Sequence, residues 1–343
     1  MQTLMSRDVY FEPQAVKSAY DALKSKTEKV AASLKKEKIA GFAVAARGSS
    51  LNACQYFKYL SEIRLGIPVT FLNPSVVSKY GAKINLKNYA VFAVSQSGKA
   101  QDIYDLMTRA KESGAKTFSV TNTPKSPLAR DFEHFYLNAG EEKSVAATKT
   151  FIAQMTFFSM FVEAFDKGVL KEETSLPQLI NAALKTQKHI DALAAKYVDT
   201  DSKVFVLSRG IGFVTAAEIG LKLKETCYVN ASVYPMSEFQ HGPLAVLDKT
   251  CTVILFADSG ANKDGYLEMI QKIKDTGSKL VVFADDAVFA ANADDFVLLP
   301  KTEEVYAPFA GVVAGQLFAC KLSQLKGINP DNPRGLKKVT VTV

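Results

Sequence analysis

Residues 91–98 read VFAVSQSG, and residues 253–260 read VILFADSG. Each is an apolar run of strand length that ends in a Ser/Gly turn. Upstream of each lies a second run of the same kind, AVAARGSS at 43–50 and VFVLSRGI at 204–211. Gly48 and Gly210 are 162 residues apart, and so are Gly98 and Gly260. One unit is therefore written twice. Strands separated by helix-length segments imply right-handed βαβ crossovers and a mostly parallel sheet. The pattern predicts an α/β fold of two tandem units, each a three-layer α/β/α sandwich. Ligands of such sheets bind outside the carboxyl ends of the strands, where turns open into helix N-termini.

The rest of the chain arranges itself around these turns. Residues 1–38 read as a helical lead, residues 39–170 as the first unit, 171–200 as a helical linker, 201–328 as the second unit and 329–343 as a tail. Pro13 marks an early turn or a first helical position. The helix after the first strand is expected to pack through Leu51, Tyr56, Leu60 and Ile63. Residues 148–165 are too broadly apolar for a surface helix, which predicts burial between domains or subunits. The last residues, VTVTV, alternate with β-branched side chains and could add a strand.

With 343 residues and 48% hydrophobic content, the chain has room for two ordinary cores. Its apolar runs are broken by Gly, Ser or charge, so no membrane span is expected. The opening MQTLMSRDVYFEP lacks an apolar signal segment, so export is not expected. Cys54, Cys227, Cys251 and Cys320 are widely spaced, with no CxxC. They read as buried thiols in a reducing, cytoplasmic setting. A formal charge of +7 favours anionic ligands. The lysines are scattered and no aromatic–basic interleaving occurs, so a phosphorylated metabolite is expected rather than nucleic acid. No His/Asp/Glu cluster has metal-ligand spacing, and no GxGxxG or GxxxxGK[ST] is present. Metal-free, cofactor-free chemistry is the expectation.

Two loops are candidates for holding the anion. Arg47-Gly48-Ser49-Ser50 follows the first strand, and Ser95-Gln96-Ser97-Gly98 follows the third. Ser and Gly at a helix start present hydroxyls and backbone N–H groups to a phosphate. The same residues are also ordinary N-caps. The pairing of two such loops in one parallel unit favours the phosphate.

In the second unit, Glu218, Lys222 and Glu225 share one helix face at i, i+4 and i+7. They suit a surface ion-pair ladder equally with a catalytic face. Glu225 ends its helix, where a carboxylate charge is least favoured, as suits a general base. His241 lies in the polar loop SEFQHGPLAVLD. There it could shuttle a proton for a carbonyl or ring oxygen, or simply brace the loop.

At this point the chain resembles the SIS (sugar isomerase) family, and within it the isomerase half of glucosamine–fructose-6-phosphate aminotransferases. The segments that carry the resemblance are SQSGKAQD (95–102), EIGLKLKETCYVNASVYPMSEFQHGPLAVLD (218–248) and NPRGLKKVTVTV (332–343). The resemblance implies two SIS domains and a sugar 6-phosphate held by Ser49, Ser50, Ser95, Gln96 and Ser97. It implies a backbone contact at Val145 and Ala146. It also implies Glu225 as the enolisation base with Glu218 and Lys222 as its partners, His241 as the ring-opening group, and Lys338 as the tail lysine facing the open-chain sugar. In the family this His reaches a neighbouring subunit's site, which implies a homodimer. The family loop continues SQSGET, whereas Lys99-Ala100 stand here, so Lys99 is a candidate replacement contact. Arg47 stands where Cys or Gly is usual. The chain opens MQTLMSRD and reaches the SIS region without a glutaminase segment. The expectation is therefore glucosamine-6-phosphate deamination to fructose 6-phosphate and ammonia. The alternatives are a fructosamine- or fructoselysine-6-phosphate deglycase, with Arg47 on the amino-acid carboxylate, a galactosamine-6-phosphate deaminase/isomerase, or a non-catalytic phosphosugar sensor.

Overall fold

The structure, a computed structural model, describes residues 2–168, 175–199 and 203–338. In chain order the elements begin with α1 (Leu4–Tyr10), α2 (Glu12–Glu37), β1 (Gly41–Ala46), α3 (Gly48–Leu65), β2 (Val69–Phe71) and α4 (Pro74–Ser78). Next come β3 (Tyr89–Val94), α5 (Gln101–Glu112), β4 (Lys116–Thr121), α6 (Pro127–Asp131), β5 (Glu133–Tyr136) and α7 (Lys149–Phe165). The second half holds α8 (Leu176–Leu184), α9 (Gln187–Lys196), β6 (Val204–Ser208), α10 (Phe213–Cys227), β7 (Ala231–Pro235) and α11 (Met236–Gln240). It ends with β8 (Thr252–Ala257), α12 (Lys263–Asp275), β9 (Lys279–Ala284), β10 (Asp295–Leu298) and α13 (Ala307–Leu325).

Two compact units result. The first comprises residues 14–142 and 149–168 with Lys337 and Lys338; the second comprises residues 2–13, 143–148, 175–199 and 203–336. Each holds a five-stranded, all-parallel sheet. The orders are β2-β1-β3-β4-β5 in the first and β10-β9-β8-β6-β7 in the second, the same order read from opposite edges. Strands β1 and β8 are buried at every position because helices cover both faces. This is the two-unit sandwich read from the sequence.

In the first unit the core is aromatic. Phe57 of α3 stacks on Phe158 of α7 at 4.4 Å, and Phe92 of β3 meets Phe161 of α7 edge-on at 5.1 Å. Helix α7 is thus buried inside its own unit, against α3 and the sheet. That suffices to explain its breadth without the domain or subunit boundary expected from its composition. On α3, Tyr56 and Leu60 are buried as expected, but Leu51 and Ile63 are exposed. Leu51 lies about 140° around the helix from Tyr56 at 100° per residue. The inward stripe is Ala53, Cys54, Tyr56, Phe57 and Leu60.

The helical lead is two helices, because the chain turns at Phe11 before Pro13 enters the first turn of α2. The linker is likewise two helices, α8 and α9. All four cysteines are free and buried. Among the described residues one helix, Glu304–Leu325, is long and apolar enough, by length and composition alone, to cross a membrane. Its 18-residue apolar window is 89% buried within the protein, where α13 packs on α8, α9 and α10. The tail residues read as a strand, 339–343, lie outside the described residues.

Candidate functional site

Strands β1 and β3 run side by side, with Ala46 opposite Val94. Sheet order reverses between them, so their following turns flank the switch-point crevice of the first unit. Arg47 is extended and caps α3 without a side-chain hydrogen bond; Ala100 caps α5 in the same way. The serines of these turns therefore do not act as N-caps. Backbone N–H groups of Gln96, Ser97 and Lys99 have no partner among the described residues. Ser95 Oγ accepts from Gly98 N at 3.1 Å and closes the turn. Gly98 has φ +62°, and a Cβ there would lie 2.2 Å from Ser126 Oγ, so only glycine fits. Ser49, Ser50, Ser95, Gln96 and Ser97 are half-buried and Lys99 is exposed. Donors thus gather at two neighbouring turns that lead into helices, a setting that suits an anion.

Arg47 is not a free cation in this crevice. Its Nη2 meets Asp102 Oδ2 at 2.8 Å, and the Asp102 side chain is buried. The guanidinium that a deglycase would turn to an amino-acid carboxylate is already engaged. Sequence reading placed Asp102 in the following helix without seeing this pair. It also passed over Gln154, a lone amide in the apolar run of α7, whose Nε2 donates to Ser50 Oγ at 3.0 Å.

The second unit carries the titratable cluster. Glu218 and Lys222 have no exposed side-chain surface, so the surface-ladder alternative is set aside. Lys222 Nζ lies 3.3 Å from Glu218 Oε1 and 2.5 Å from Glu225 Oε2. Burial works against the ammonium charge, but the two carboxylates outweigh it and hold the Lys222 pKa above its ordinary value. Glu225 sits at the rim, 23% exposed, with one oxygen pinned by Lys222. Its Oε1 has no partner among the described residues.

His241 follows α11; its N–H bonds Glu238 O at 3.1 Å, while its ring is exposed and unpartnered among the described residues. Lys338 Nζ donates to Glu142 Oε2 at 2.6 Å. Glu142 is buried and also accepts from Thr150 N (3.1 Å) and Thr150 Oγ1 (2.7 Å), so it ties the tail to the start of α7. The signal for Glu142 in the sequence is only an acid placed just before that helix. Val145 and Ala146 lie in the second unit. Asp8 Oδ2 accepts from Lys143 N and Ser144 N at 3.1 Å each, and Ala146 packs with Met5 and Cys320. The Ala146 carbonyl is taken by Ser144 Oγ at 2.7 Å. The structure thus groups Arg47, Gly48, Ser49 and Ser50 with Ser95, Gln96, Ser97 and Lys99 in one unit, and Glu218, Lys222 and Glu225 in the other. Among the described residues no group of three or more His, Cys, Asp or Glu side chains could hold a metal ion.

Fold and crevice together define a duplicated parallel α/β protein with one open anion nest and one buried acid–base helix face. The SIS domain matches residues 36–164 and 197–324, and the chain belongs to the SIS domain family. It is 32% identical over 346 residues to the glutamine–fructose-6-phosphate aminotransferase (isomerizing) of Methanothermobacter thermautotrophicus. That alignment covers 98% of this chain and 57% of the relative, so the chain spans little more than half of that protein. Among solved structures it superposes on the C-terminal domain of glucosamine–fructose-6-phosphate aminotransferase from Francisella tularensis with a TM-score of 0.88 at 27% identity. The match covers 96% of this chain and 98% of that one. The fold is shared with a glucosamine-6-phosphate deaminase from Thermotoga maritima, at TM-score 0.79 and 17% identity, over 99% of this chain and all of the other.

Proposed function

We propose that the chain is a sugar-phosphate enzyme of the isomerase/deaminase type, converting glucosamine 6-phosphate and water to fructose 6-phosphate and ammonia. The observation that carries this reading is the open nest of the first unit. The N–H groups of Gln96, Ser97 and Lys99, without a partner among the described residues, suit a phosphate dianion, and the serines beside them do not stand at the N-cap positions of α3 and α5. The family relationship and the names of its relatives point to hexose 6-phosphates as the esters concerned.

The chemistry follows from what the side chains can do. His241 moves a proton to open the sugar ring. Lys222 pins one oxygen of Glu225 and leaves the other free to take the C2 proton. Returning that proton to C1 through the enolamine gives the imine at C2. Water adds to the imine carbon, the C–N bond breaks, and ammonia leaves with the ketose phosphate. Each proton Glu225 removes it gives back, so water is the only co-reactant. Lys338, which Glu142 holds, is read by family resemblance as the tail ammonium that meets the open-chain sugar. The family resemblance of the His241 loop carries the homodimer part of this reading, in which His241 serves a neighbouring site.

The test is an ammonia-release assay on purified protein with glucosamine 6-phosphate, galactosamine 6-phosphate and fructosamine 6-phosphates. The reading expects ammonia and fructose 6-phosphate from the first substrate. Failure to produce either, with phosphate esters still binding, would leave the sensor alternative standing.

A further inference from the structure

Gln154 is 1% exposed on α7, a helix whose neighbouring positions are mostly apolar. Its Nε2 donates to Ser50 Oγ at 3.0 Å, while its Oε1 is buried with no partner among the described residues. An amide half-satisfied inside a core costs stability, so its place there calls for a reason. Ser50 supplies one. A hydroxyl has one hydrogen and two lone pairs. Gln154 fills one lone pair of Ser50, and the hydrogen of Ser50 has no acceptor among the described residues. Ser50 is in the first turn of α3, half-buried at the mouth of the crevice.

We propose that Gln154 is a positioning residue: by donating into Ser50 Oγ it turns the Ser50 O–H outward, toward the phosphate group of the substrate. It acts through Ser50 and sets affinity for the charged end of the sugar. Ser95 is arranged on the same logic, since Gly98 N occupies its oxygen. The inference rests on the phosphate reading of the first-unit nest.

The test is calorimetric titration of inorganic phosphate and of fructose 6-phosphate into wild type, Gln154→Met, Ser50→Ala and the double variant, with KM and kcat measured alongside. Gln154→Met is expected to weaken phosphate binding and raise KM about 3–10-fold, with kcat within about twofold, the scale of one charge-assisted hydrogen bond. In the Ser50→Ala background the same substitution should add nothing further. Gln154→Glu, nearly the same shape, offers only acceptors to Ser50 and draws its hydrogen inward. It should weaken phosphate binding more than Gln154→Met does, and it serves as the second variant if the methionine form does not fold. Equal losses from Gln154→Met in both backgrounds would mark a packing role and overturn the inference. Phosphate affinity unchanged in either Gln154 variant would do the same while leaving the functional reading intact. Wild-type protein that binds no phosphate would overturn both.

Discussion

The two units solve the same turn in opposite ways. In the first, the N–H groups of Gln96, Ser97 and Lys99 in the β3–α5 turn have no partner among the described residues. In the second, the equivalent turn after β8 is filled by the chain's own carboxylates. Asp285 accepts from Ser259 N at 2.8 Å, Asp258 from Gly260 N at 3.0 Å, and Glu304 from Ala261 N at 2.9 Å. Gln96 of the first turn is matched by Asp258, and Ser50 by Gly212, each 162 positions on. A nest that carries its own anions has no room, sterically or electrostatically, for a phosphate. Burial first, then the Glu304 and Asp285 charges, push the Asp258 carboxyl up to about 6, against the hydrogen bonds that would lower it. The reverse exchange occurs on the helix after the first strand. Tyr56, Leu60 and Ile63 of α3 are replaced on α10 by Glu218, Lys222 and Glu225. The two copies thus differ in kind: one keeps unpartnered N–H groups at its turn among the described residues, and the other carries a Glu–Lys–Glu cluster on its helix, buried at Glu218 and Lys222.

That contrast can be broken at several places. The largest effect is expected at the rim of the charged face: Glu225→Gln should lower kcat by about 10³-fold, the scale of a lost general base. Phosphate affinity should be unchanged, because the proposed phosphate nest belongs to the other unit. Steady-state kinetics with a parallel phosphate titration reads both quantities. Next, Lys222→Met takes the ammonium away from the fully buried Glu218 carboxylate and should cost about 3–5 kcal/mol of stability. Its counterpart Leu60→Met, a near-isosteric change, should cost less than about 1.5 kcal/mol. Equal losses in denaturant melts would deny that the two helix faces differ in kind.

A smaller effect concerns pH. Because the Asp258 pKa is raised in the fold, the folded state holds that proton more tightly than the unfolded chain. Its carboxyl therefore subtracts stability as pH rises from about 4 through 6, and the penalty stays in place above that. Asp258→Asn should stabilise the protein by on the order of 2 kcal/mol at pH 7 and by nothing below about pH 4. Melting curves across that range would show the gap opening in this window or nowhere. The smallest is a glycine pair. Gly98→Ala forces a left-handed residue and a clash with Ser126, and should weaken phosphate binding about tenfold. Gly260→Ala would meet the Glu304 side chain, with Cδ and Oε2 at 2.5 Å and Cγ at 2.7 Å, and should leave phosphate binding untouched because that side chain moves instead.

Much of this was legible before any coordinates. Strand runs and the 162-residue repeat gave the two parallel sheets, because burial on both faces leaves a continuous apolar signature. The Ser/Gly turns are readable because a positive φ, as at Gly48 and Gly98, favours glycine. What periodicity could not show was partnership. Lys222 reads the same on a surface ladder as in a core; only packing decides that Glu218 is buried with it. Arg47 looked available for a carboxylate because its tie to Asp102 spans 55 positions and two turns. Leu51 is exposed because it lies about 140° around α3 from Tyr56, and Ile63 because burial along α3 ends at Ser61. Gln154 left only one polar letter in an apolar run, a signal that gains meaning once Ser50 is beside it.

The most direct trial of the account is a crystal structure with fructose 6-phosphate bound. The account predicts one sugar phosphate per chain, with its phosphate among Ser49, Ser50, Ser95, Gln96 and Ser97 and its first two carbons facing Glu225. Phosphate density at Asp258 and Asp285 instead, or a sugar whose C1 and C2 lie out of reach of Glu225, would contradict it.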